Sequence, residues 1–312
     1  MSHKLAFVFP GQGSQKVGML SELIKNNEQV GTLFTKASHI LDYDLLEIVL
    51  TDPEEKLNQT LYTQPALLVA SIALWTVWLA KGGKVPNLLA GHSLGEYTAL
   101  VASEVIDFET AVALVAQRAL FMQEAVEEGT GAMAAILSLS DQKVIEICQQ
   151  VAEGQVVAPA NFNTLGQIVI AGHVEGIDRA IALAKTSGGK AIKLPISVPS
   201  HCLLMYSAAE KMEALLMKIN FNNPKIPIIN NVDVALVTLG KEIKQALVRQ
   251  LYNPVRWREI IEKMGAMNTT IIAECGPGKV LTGMTKRIAN TIKPVALSDE
   301  KELLSLSTEE LN

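Results

Sequence analysis

The apolar positions of this chain change their spacing several times, and each change predicts a new element. Residues 5–9 form a short apolar run before a Pro-Gly turn, which is typical of a buried strand that leads into a helix. Helical spacing covers about residues 30–41 and 64–81, and the second stretch is apolar nearly all round, which predicts a central helix. A second strand ends at residue 90 and is followed by a helix from Asp107, a favourable N-cap, to about residue 128. Apolar strands that alternate with helices predict a mostly parallel sheet covered by helices.

The spacing of apolar residues changes after residue 128, where it predicts shorter strands that alternate with helices. Their predicted order is β-α-β-β-α-β, with strands at 133–137, 155–158, 167–171 and 191–194 and helices at 140–153 and 176–186. The remaining pattern predicts helices at 203–217, at 241–251 and from 279, strands at 226–229 and 270–274, and an acidic, serine-rich tail after 298. We therefore predict an α/β protein in which a large domain, residues 1–128 and 198–312, is interrupted by a small ferredoxin-like (βαββαβ) subdomain at 129–197.

Composition narrows the class of protein. Apolar residues make up 49% of the 312 residues and charged residues 19%, which is typical of a globular protein with a large core. The net charge of −5 and the lack of a long basic stretch argue against a nucleic-acid-binding protein. The three cysteines lack the spacing of a zinc site or a disulfide framework, which predicts a reducing, cytoplasmic location. The apolar runs at 5–9 and 67–80 are too short for a signal peptide and for a membrane span, respectively.

Residues 91–95 read Gly-His-Ser-Leu-Gly and join the second strand to a predicted helix over 96–103. A serine between two glycines at this junction indicates a turn so tight that only glycine fits around it. Such a turn holds the Ser93 hydroxyl above the sheet and beside a helix N-terminus, where a developing negative charge is stabilised. The spacing also occurs in ordinary turns, but the strand–turn–helix context favours Ser93 as a nucleophile.

A serine nucleophile needs a base, and histidine is the usual one. His201 is the best placed of five histidines, because it lies where the chain returns to the large domain, and ligand clefts form at such seams. The alternative is that His201 caps the helix that follows it. Asp233 and Glu274 are candidate acidic partners for a triad, but neither has a supporting signature. A backbone carbonyl can orient the imidazole equally well, so a Ser–His dyad is preferred.

Arg118 is the only charged residue between positions 111 and 123, and it falls on the inward-facing stripe of its helix. No acidic residue lies three or four positions away, so a local helix salt bridge is excluded. The side chain would extend to the surface, form a tertiary ion pair or bind a substrate anion. A substrate carboxylate could accept a bidentate pair, and each charge-assisted bond would contribute about 1.5–3 kcal/mol towards selecting a diacid thioester.

Gln12 lies in a Gly-Gln-Gly turn at the end of the first strand. Loops that follow parallel strands share one edge of the sheet, so this turn and Ser93 can converge. A donor from the turn, together with the Leu94 N–H, would form an oxyanion hole. An ordinary glycine turn is the simpler interpretation of Gly-Gln-Gly taken alone.

These motifs together resemble one family, the malonyl-CoA:acyl carrier protein transacylases of bacterial fatty-acid synthesis. The resemblance covers nearly the whole chain and rests on motifs in family order: 9–14 (FPGQGS), 62–66 (YTQPA), 91–97 (GHSLGEY), 117–118 (QR), 161–163 (NFN), 198–202 (VPSHC), 250–255 (QLYNPV) and 274–281 (ECGPGKVL). None of these positions departs from the family pattern. The family fold is a large α/β-hydrolase-like domain with a ferredoxin-like insert, as predicted above.

The resemblance implies a role for each candidate residue. Ser93 would be acylated, His201 would act as its base, and Arg118 would bind the free malonyl carboxylate. Gln12 and the Leu94 backbone N–H would form the oxyanion hole. The implied reaction is a ping-pong transfer through a malonyl-serine intermediate, and it requires no metal or redox cofactor.

By the same resemblance, the main-chain carbonyl of Gln250 would hold the histidine. The implied partners are malonyl-CoA and acyl carrier protein, whose phosphopantetheine thiol accepts the malonyl group; we expect a monomer that binds neither nucleic acid nor membrane. Acyl carrier protein is acidic, so Lys286 and Arg287 could steer it to the cleft. Two ordinary solvated helix residues are the simpler interpretation of this pair.

Three other functions stay open at this point. A serine esterase or thioesterase would use the same Ser93 and His201, but it would have no reason to bury Arg118 and would release free acid. A binding or scaffold protein would not need these three residues together. A free-standing acyltransferase of a polyketide synthase shares the motifs and the chemistry, and Ser200 favours the fatty-acid enzyme only by resemblance.

Overall fold

The computed structural model describes residues 4–196 and 198–305, which form two sheets with helices packed on them. The strands are β1 (Leu5–Phe9), β2 (Leu88–Gly91), β3 (Gly131–Leu137), β4 (Val157–Thr164), β5 (Gln167–His173), β6 (Lys190–Lys193), β7 (Ile228–Ile229), β8 (Leu236–Val237), β9 (Ile271–Cys275) and β10 (Lys293–Leu297). The α-helices are α1 (Ser21–Asn26), α2 (Glu28–Leu41), α3 (Leu45–Leu50), α4 (Thr60–Ala80), α5 (Gly95–Ala102), α6 (Phe108–Glu124), α7 (Asp141–Val151), α8 (Val174–Thr186), α9 (Tyr206–Leu216), α10 (Gly240–Gln250), α11 (Trp257–Ala266), α12 (Val280–Ile288) and α13 (Glu300–Ser305), and a 3₁₀ turn spans Leu203–Met205.

The larger sheet lies inside the protein and is mostly parallel. Its strand order is β10-β9-β1-β2-β7-β8, and β7 and β8 form its antiparallel pair. Alternate side chains of β1 enter two separate apolar cores, Leu5, Phe7 and Phe9 on one face and Ala6 and Val8 on the other. The strand is apolar throughout because both of its faces are covered. The predicted sheet is confirmed.

The smaller sheet is antiparallel, with strand order β4-β5-β3-β6. Helices α7 and α8 cover one face, where Ile136 and Ile170 belong to the core that they form. The opposite face carries Met133 and Val169, which pack with Cys202 from the segment that follows this sheet. The order β3-α7-β4-β5-α8-β6 confirms the ferredoxin-like arrangement.

Main-chain hydrogen bonds tie the smaller sheet to the rest of the protein. The Val255 N–H donates to the Ala160 carbonyl, and the Phe162 N–H donates to the Val255 carbonyl, each at 2.9 Å. Strand β4 is thereby paired with the segment just before α11. The predicted domain boundaries stay a prediction; residue 197, which ends the predicted subdomain, and residues 1–3 and 306–312 of the predicted large domain lie outside the described residues.

The structure contains elements that the sequence pattern did not predict, namely α1, α3, α11, α13, β8 and β10. It also corrects several bounds. The turn after β1 does not lead directly into a helix, since α1 begins only at Ser21. Helix α4 begins at Thr60 and continues through Pro65, which cannot donate a main-chain hydrogen bond. In the turn before Pro65 the buried Thr63 hydroxyl bonds to the Leu57 and Gln59 carbonyls, at 2.5 and 3.0 Å. Strand β4 is longer than predicted, and the predicted helix at 203–217 is a 3₁₀ turn followed by α9.

Helix α4 is the one helix of the described residues that is long and apolar enough to cross a bilayer. However, 83% of that apolar stretch is buried inside the protein. Its side chains pack against β1, where the ring centroids of Phe7 and Trp75 are 5.6 Å apart. The prediction of a central, buried helix is confirmed.

Candidate active site

Ser93 follows β2 in a turn that two glycines make sterically feasible. Its backbone φ is 51°, which lies in the left-handed region. A Cβ atom on Gly91 would lie 1.8 Å from the carbonyl carbon of Gly95, and one on Gly95 would lie 2.0 Å from the carbonyl oxygen of Phe9. Glycine at position 91 therefore lets β2 approach α5 this closely, and glycine at position 95 lets α5 approach the end of β1. The predicted strand–turn–helix geometry around Ser93 is confirmed.

His201 faces Ser93 although 108 residues separate them in sequence. The Ser93 Oγ and His201 Nε2 atoms are 2.8 Å apart, and His201 Nδ1 is 2.7 Å from the Gln250 main-chain oxygen. A carbonyl only accepts hydrogen bonds, so Nδ1 carries the proton and Nε2 is free to accept the serine proton. Burial and the positive charge of Arg118 lower the pKa of His201 to about 3, which keeps the imidazole neutral. This is the geometry of a nucleophile and its base.

Neither candidate acidic partner lies against the histidine. The Asp233 carboxylate pairs with Arg249, with Oδ2 and Nη2 2.7 Å apart. The Glu274 carboxylate accepts the N–H groups of Leu281 and Thr282 at the start of α12. The 3₁₀ turn after His201 has no side-chain cap, so the capping alternative also fails. The arrangement around His201 is that of a dyad.

Arg118 is buried beside the nucleophile, with 1% of its surface exposed, so it does not extend to solvent. Its Nη1 donates to Gln64 Oε1 at 2.5 Å, and its Nη2 donates to Gln250 Oε1 at 3.1 Å and to Ser93 Oγ at 3.3 Å. These partners are amide and hydroxyl oxygens, and no carboxylate is among them. Within the described residues its Nε–H has no acceptor. A buried cation held only by neutral groups attracts an anionic ligand.

A cavity of about 130 Å³ opens over Ser93, His201 and Arg118, at the seam between the two sheets. One apolar wall comes from the smaller sheet and the segment after it, and another comes from the first turns of α12: Met133, Val169, Leu194 and Ile196, and Val280, Leu281 and Met284. Apolar walls with a few convergent polar groups are typical of a small-molecule site.

Gln12 and Leu94 both line this cavity, as the convergence of loops predicts. The Gln12 side chain donates to Thr60 Oγ1 at 3.4 Å. Among the described residues, no acceptor bonds the Leu94 backbone N–H. These positions are compatible with an oxyanion hole, whose assignment stays a prediction.

The remaining histidines lie in other surroundings. His92 Nε2 is 2.9 Å from Asn163 Oδ1, and its ring packs on Trp257, so it is the packing and hydrogen-bonding residue that its position predicts. His39 is exposed in the last turn of α2. His173 Nδ1 accepts a backbone N–H in the smaller sheet. His3 lies outside the described residues.

The sequence reasoning assigned no role to several buried polar residues at the site, among them Gln64, which accepts from Arg118. Asn231 Oδ1 accepts the Ser93 backbone N–H at 2.8 Å, and its Nδ2 donates to the Gly91 carbonyl at 2.7 Å. Glu96, three positions after the serine, accepts hydrogen bonds from Gln250 Nε2 and from the Asn231 N–H. Asn231 carried a usable signal, since it lies two residues after β7, at the edge where Ser93 lies two residues after β2.

No group of three or more histidine, cysteine, aspartate or glutamate side chains within residues 4–196 and 198–305 could hold a metal ion.

Comparison with known proteins points to one group. A family model described as an acyl transferase domain matches residues 6–300. The malonyl CoA-acyl carrier protein transacylase of Escherichia coli K12 is 55% identical over 297 residues, which are 95% of this chain and 96% of that protein. An acyl carrier protein S-malonyltransferase from Vibrio cholerae, known from a crystal structure, has a TM-score of 0.94 at 51% identity, with 97% of this chain and 100% of that chain covered. A malonyl-transacylase in complex with a type II polyketide synthase acyl-carrier protein has a TM-score of 0.95 at 51% identity, with 97% and 98% covered.

The glycine contacts around Ser93 lead to a stability prediction. We expect Gly91→Ala to destabilise the protein by at least about 3 kcal/mol, because the new methyl group would overlap backbone that cannot move aside. Gly31→Ala is the matched control, since a Cβ atom there in α2 meets nothing within 4 Å. Alanine in a helix should raise stability by about 0.5–1 kcal/mol. Urea unfolding measures both, and equal effects at the two glycines would contradict the steric account.

Proposed function

Because the chain belongs to the malonyl-CoA:acyl carrier protein transacylases, we propose that it transfers malonyl groups from CoA to acyl carrier protein through an ester on Ser93. It is an acyltransferase, and the transfer is a ping-pong reaction in which CoA leaves before the carrier enters. The observation that carries the assignment of residues is the 2.8 Å contact between Ser93 Oγ and His201 Nε2, next to the buried Arg118 guanidinium.

In the first half-reaction, His201 Nε2 accepts the hydroxyl proton as Ser93 Oγ attacks the thioester carbonyl carbon. The C–S bond then breaks, and the proton passes from Nε2 to the leaving sulfur, so CoA departs as a thiol. The Gln250 carbonyl accepts a hydrogen bond from Nδ1 throughout, which fixes the ring and stabilises the transient imidazolium.

In the second half-reaction, the phosphopantetheine thiol of acyl carrier protein occupies the place that CoA left. His201 accepts the thiol proton, sulfur attacks the malonyl ester, and Ser93 recovers its proton as the C–O bond breaks. Both half-reactions pass through a tetrahedral oxyanion, so one set of donors serves both. We assign these donors to Gln12 and to the Leu94 N–H, which line the cavity.

Arg118 is proposed to bind the free malonyl carboxylate, its Nε–H being without an acceptor among the described residues. This contact also affects the base. The Arg118 charge lowers the pKa of His201, and a bound carboxylate would neutralise that charge. Malonyl-CoA would thus raise the basicity of His201 as it binds, whereas an uncharged acyl group would not.

The proposed reaction moves one acyl group and protons, so it needs no resident metal or redox cofactor. Lys286 and Arg287 are exposed on α12, whose first turns line the cavity, and we assign them to steering the acidic carrier. Cys148, Cys202 and Cys275 are free, which agrees with a reducing location. We propose a cytoplasmic monomer.

Burial of Arg118 also separates this function from its rivals. A serine esterase or thioesterase gains nothing from a buried cation next to the nucleophile, and a scaffold protein does not need the Ser93–His201 contact. We assign the transfer to fatty-acid elongation. Supply of a polyketide synthase is the second candidate, favoured by the likeness to a transacylase that was solved with a polyketide carrier.

Labelled malonyl-CoA tests the reaction itself. The wild-type protein should form a malonyl adduct on Ser93, located by mass spectrometry of the digested protein, and should release the label when acyl carrier protein is added. Ser93→Ala should form no adduct, and Ser187→Ala, at the end of α8, should label normally. Steady release of free malonate without a carrier would identify a hydrolase instead.

Arg118→Ala should weaken the preference for malonyl over acetyl groups. Loss of a charge-assisted pair worth about 1.5–3 kcal/mol should lower the ratio of malonyl-CoA to acetyl-CoA reactivity by about tenfold or more. The ratio is measured within one variant, so it does not depend on the folded fraction. Lys36→Ala removes a positive charge on the surface and should leave the ratio unchanged. An unchanged ratio in Arg118→Ala would remove the guanidinium from the acyl pocket.

The two pathways differ in the carrier that they use. We expect kcat/KM to be higher with a carrier protein of fatty-acid synthesis than with one of a type II polyketide synthase, measured as competition for the labelled enzyme. A clear preference for the polyketide carrier would reverse the assignment of pathway and leave the chemistry intact.

A further inference from the structure

Glu96 is a buried carboxylate that takes no part in the reaction proposed above. Only 2% of its surface is exposed, although it lies in the first turn of α5. Its Oε2 accepts two hydrogen bonds, from Gln250 Nε2 at 2.9 Å and from the Asn231 backbone N–H at 3.0 Å. Both donors belong to segments far from α5 in sequence.

The two residues that supply these donors also bond to the backbone of the nucleophile turn. Asn231 Oδ1 accepts the Ser93 N–H at 2.8 Å. Gln250 Nε2 donates to the Ser93 carbonyl at 3.0 Å, and its own carbonyl accepts from His201 Nδ1 at 2.7 Å. The Glu96 carboxylate therefore bonds to both residues that hold the Ser93 backbone. One of them, Gln250, also holds the His201 imidazole.

The side-chain amide of Gln250 lies between two groups of opposite charge. Its Oε1 accepts from Arg118 Nη2 at 3.1 Å, and its Nε2 donates to the Glu96 carboxylate. A flipped amide would place NH₂ against the guanidinium and oxygen against the carboxylate, which are two repulsive contacts. Glu96 and Arg118 together fix one orientation of this amide.

Placing a carboxylate here costs free energy. Burial raises the pKa of Glu96 to about 7, and the bonds from Gln250 and Asn231 and the charge of Arg118 act in the opposite direction. An apolar side chain would avoid that cost but would leave two buried N–H donors without an acceptor.

We propose that Glu96 is a positioning residue, whose carboxylate oxygen anchors Gln250 and Asn231 and so holds the Ser93 turn and the His201 imidazole in reacting geometry. The inference rests on the proposed function, since it takes Ser93 and His201 as the reacting pair. Glu96 itself does not touch the acyl group. What matters is an acceptor at the position of Oε2, and the side chain must be long enough to reach both donors.

Methanesulfonyl fluoride tests this separately from malonyl transfer. It is a small, uncharged reagent that sulfonylates a serine activated by histidine, and it offers no carboxylate to Arg118. The rate of Ser93 modification, per folded molecule, should fall at least about tenfold in Glu96→Ala, because misplacement of reacting groups is costly. Glu96→Gln keeps an acceptor oxygen at the same reach and should stay within about threefold of the wild type.

Ser103→Ala is the matched control for loss of buried hydrogen bonds. Ser103 caps the other end of α5, where its Oγ donates to the Ile226 carbonyl at 2.6 Å and accepts the Ile226 N–H at 2.8 Å. This variant should lose thermal stability as Glu96→Ala does, but keep the wild-type rate of sulfonylation. A role in stability alone would make the two variants behave alike, and that result would overturn the proposal.

Glu96→Asp covers the case in which Glu96→Ala does not fold. Aspartate keeps the charge but is one methylene shorter, so we expect slow modification in Glu96→Asp and fast modification in Glu96→Gln. The reverse order would assign the effect to charge and refute the positioning role. If the wild-type protein itself is not modified at Ser93, the proposed function fails; if it is modified and Glu96→Ala reacts equally fast, only the role of Glu96 fails.

Discussion

The close contact between β2 and α5 is the constraint on which the site depends. Without a side chain at Gly91, β2 meets α5 backbone to backbone, and without one at Gly95, α5 meets the end of β1. Ser93 has a left-handed conformation between β2 and α5. That conformation places the hydroxyl at the edge of the sheet where the loops after β1, β2 and β7 meet. The other polar groups at the site, including Asn231 after β7, are arranged around this fixed point.

Neutral amides rather than carboxylates surround the buried cation. Gln64 and Gln250 satisfy two of the Arg118 nitrogen atoms without cancelling their charge, so the positive potential stays directed at the cavity. A carboxylate in direct contact would pair with the guanidinium and compete with an acidic ligand. Glu96, the nearest buried acid in the hydrogen-bond chain, is kept behind the Gln250 amide. Burial lowers the pKa of His201 and the charge of Arg118 lowers it further, so charge and base strength are linked within one pocket.

The sequence was sufficient for residues that break a local pattern. Ser93 stands between two glycines, Arg118 interrupts an apolar helix face, and His201 lies where the chain returns to the predicted large domain. The structure brings all three together. Glu96 was missed because an acid in the first turn of a helix is ordinary. Its partners, a backbone N–H and a side chain 154 residues away, leave no trace in the spacing.

The elements of the fold likewise fall into those that the sequence predicts and those that it does not. Apolar runs and capping residues predicted the sheets and the longer helices, whereas β8, with two residues, and helices of six residues are too short to show a period. Helix α11 is a different case, because its buried residues Trp257, Ile260, Ile261 and Met264 have a helical spacing that is visible in the sequence. Helix α4 begins at Thr60 rather than at residue 64, and the residues of its first turn, Thr60 and Thr63, are buried by tertiary packing.

Gln250 makes two kinds of contact, one through its main chain and one through its side chain, and a substitution can remove only the second. The acceptor for the imidazole is a peptide oxygen, which every amino acid supplies, so no codon change at this position deletes it. The side chain spans the gap to the guanidinium and the acid, and it alone is open to selection. Alanine scanning would therefore detect only the role of the side chain. A residue that orients the catalytic base through its main-chain oxygen would be scored as having no role in orienting that base.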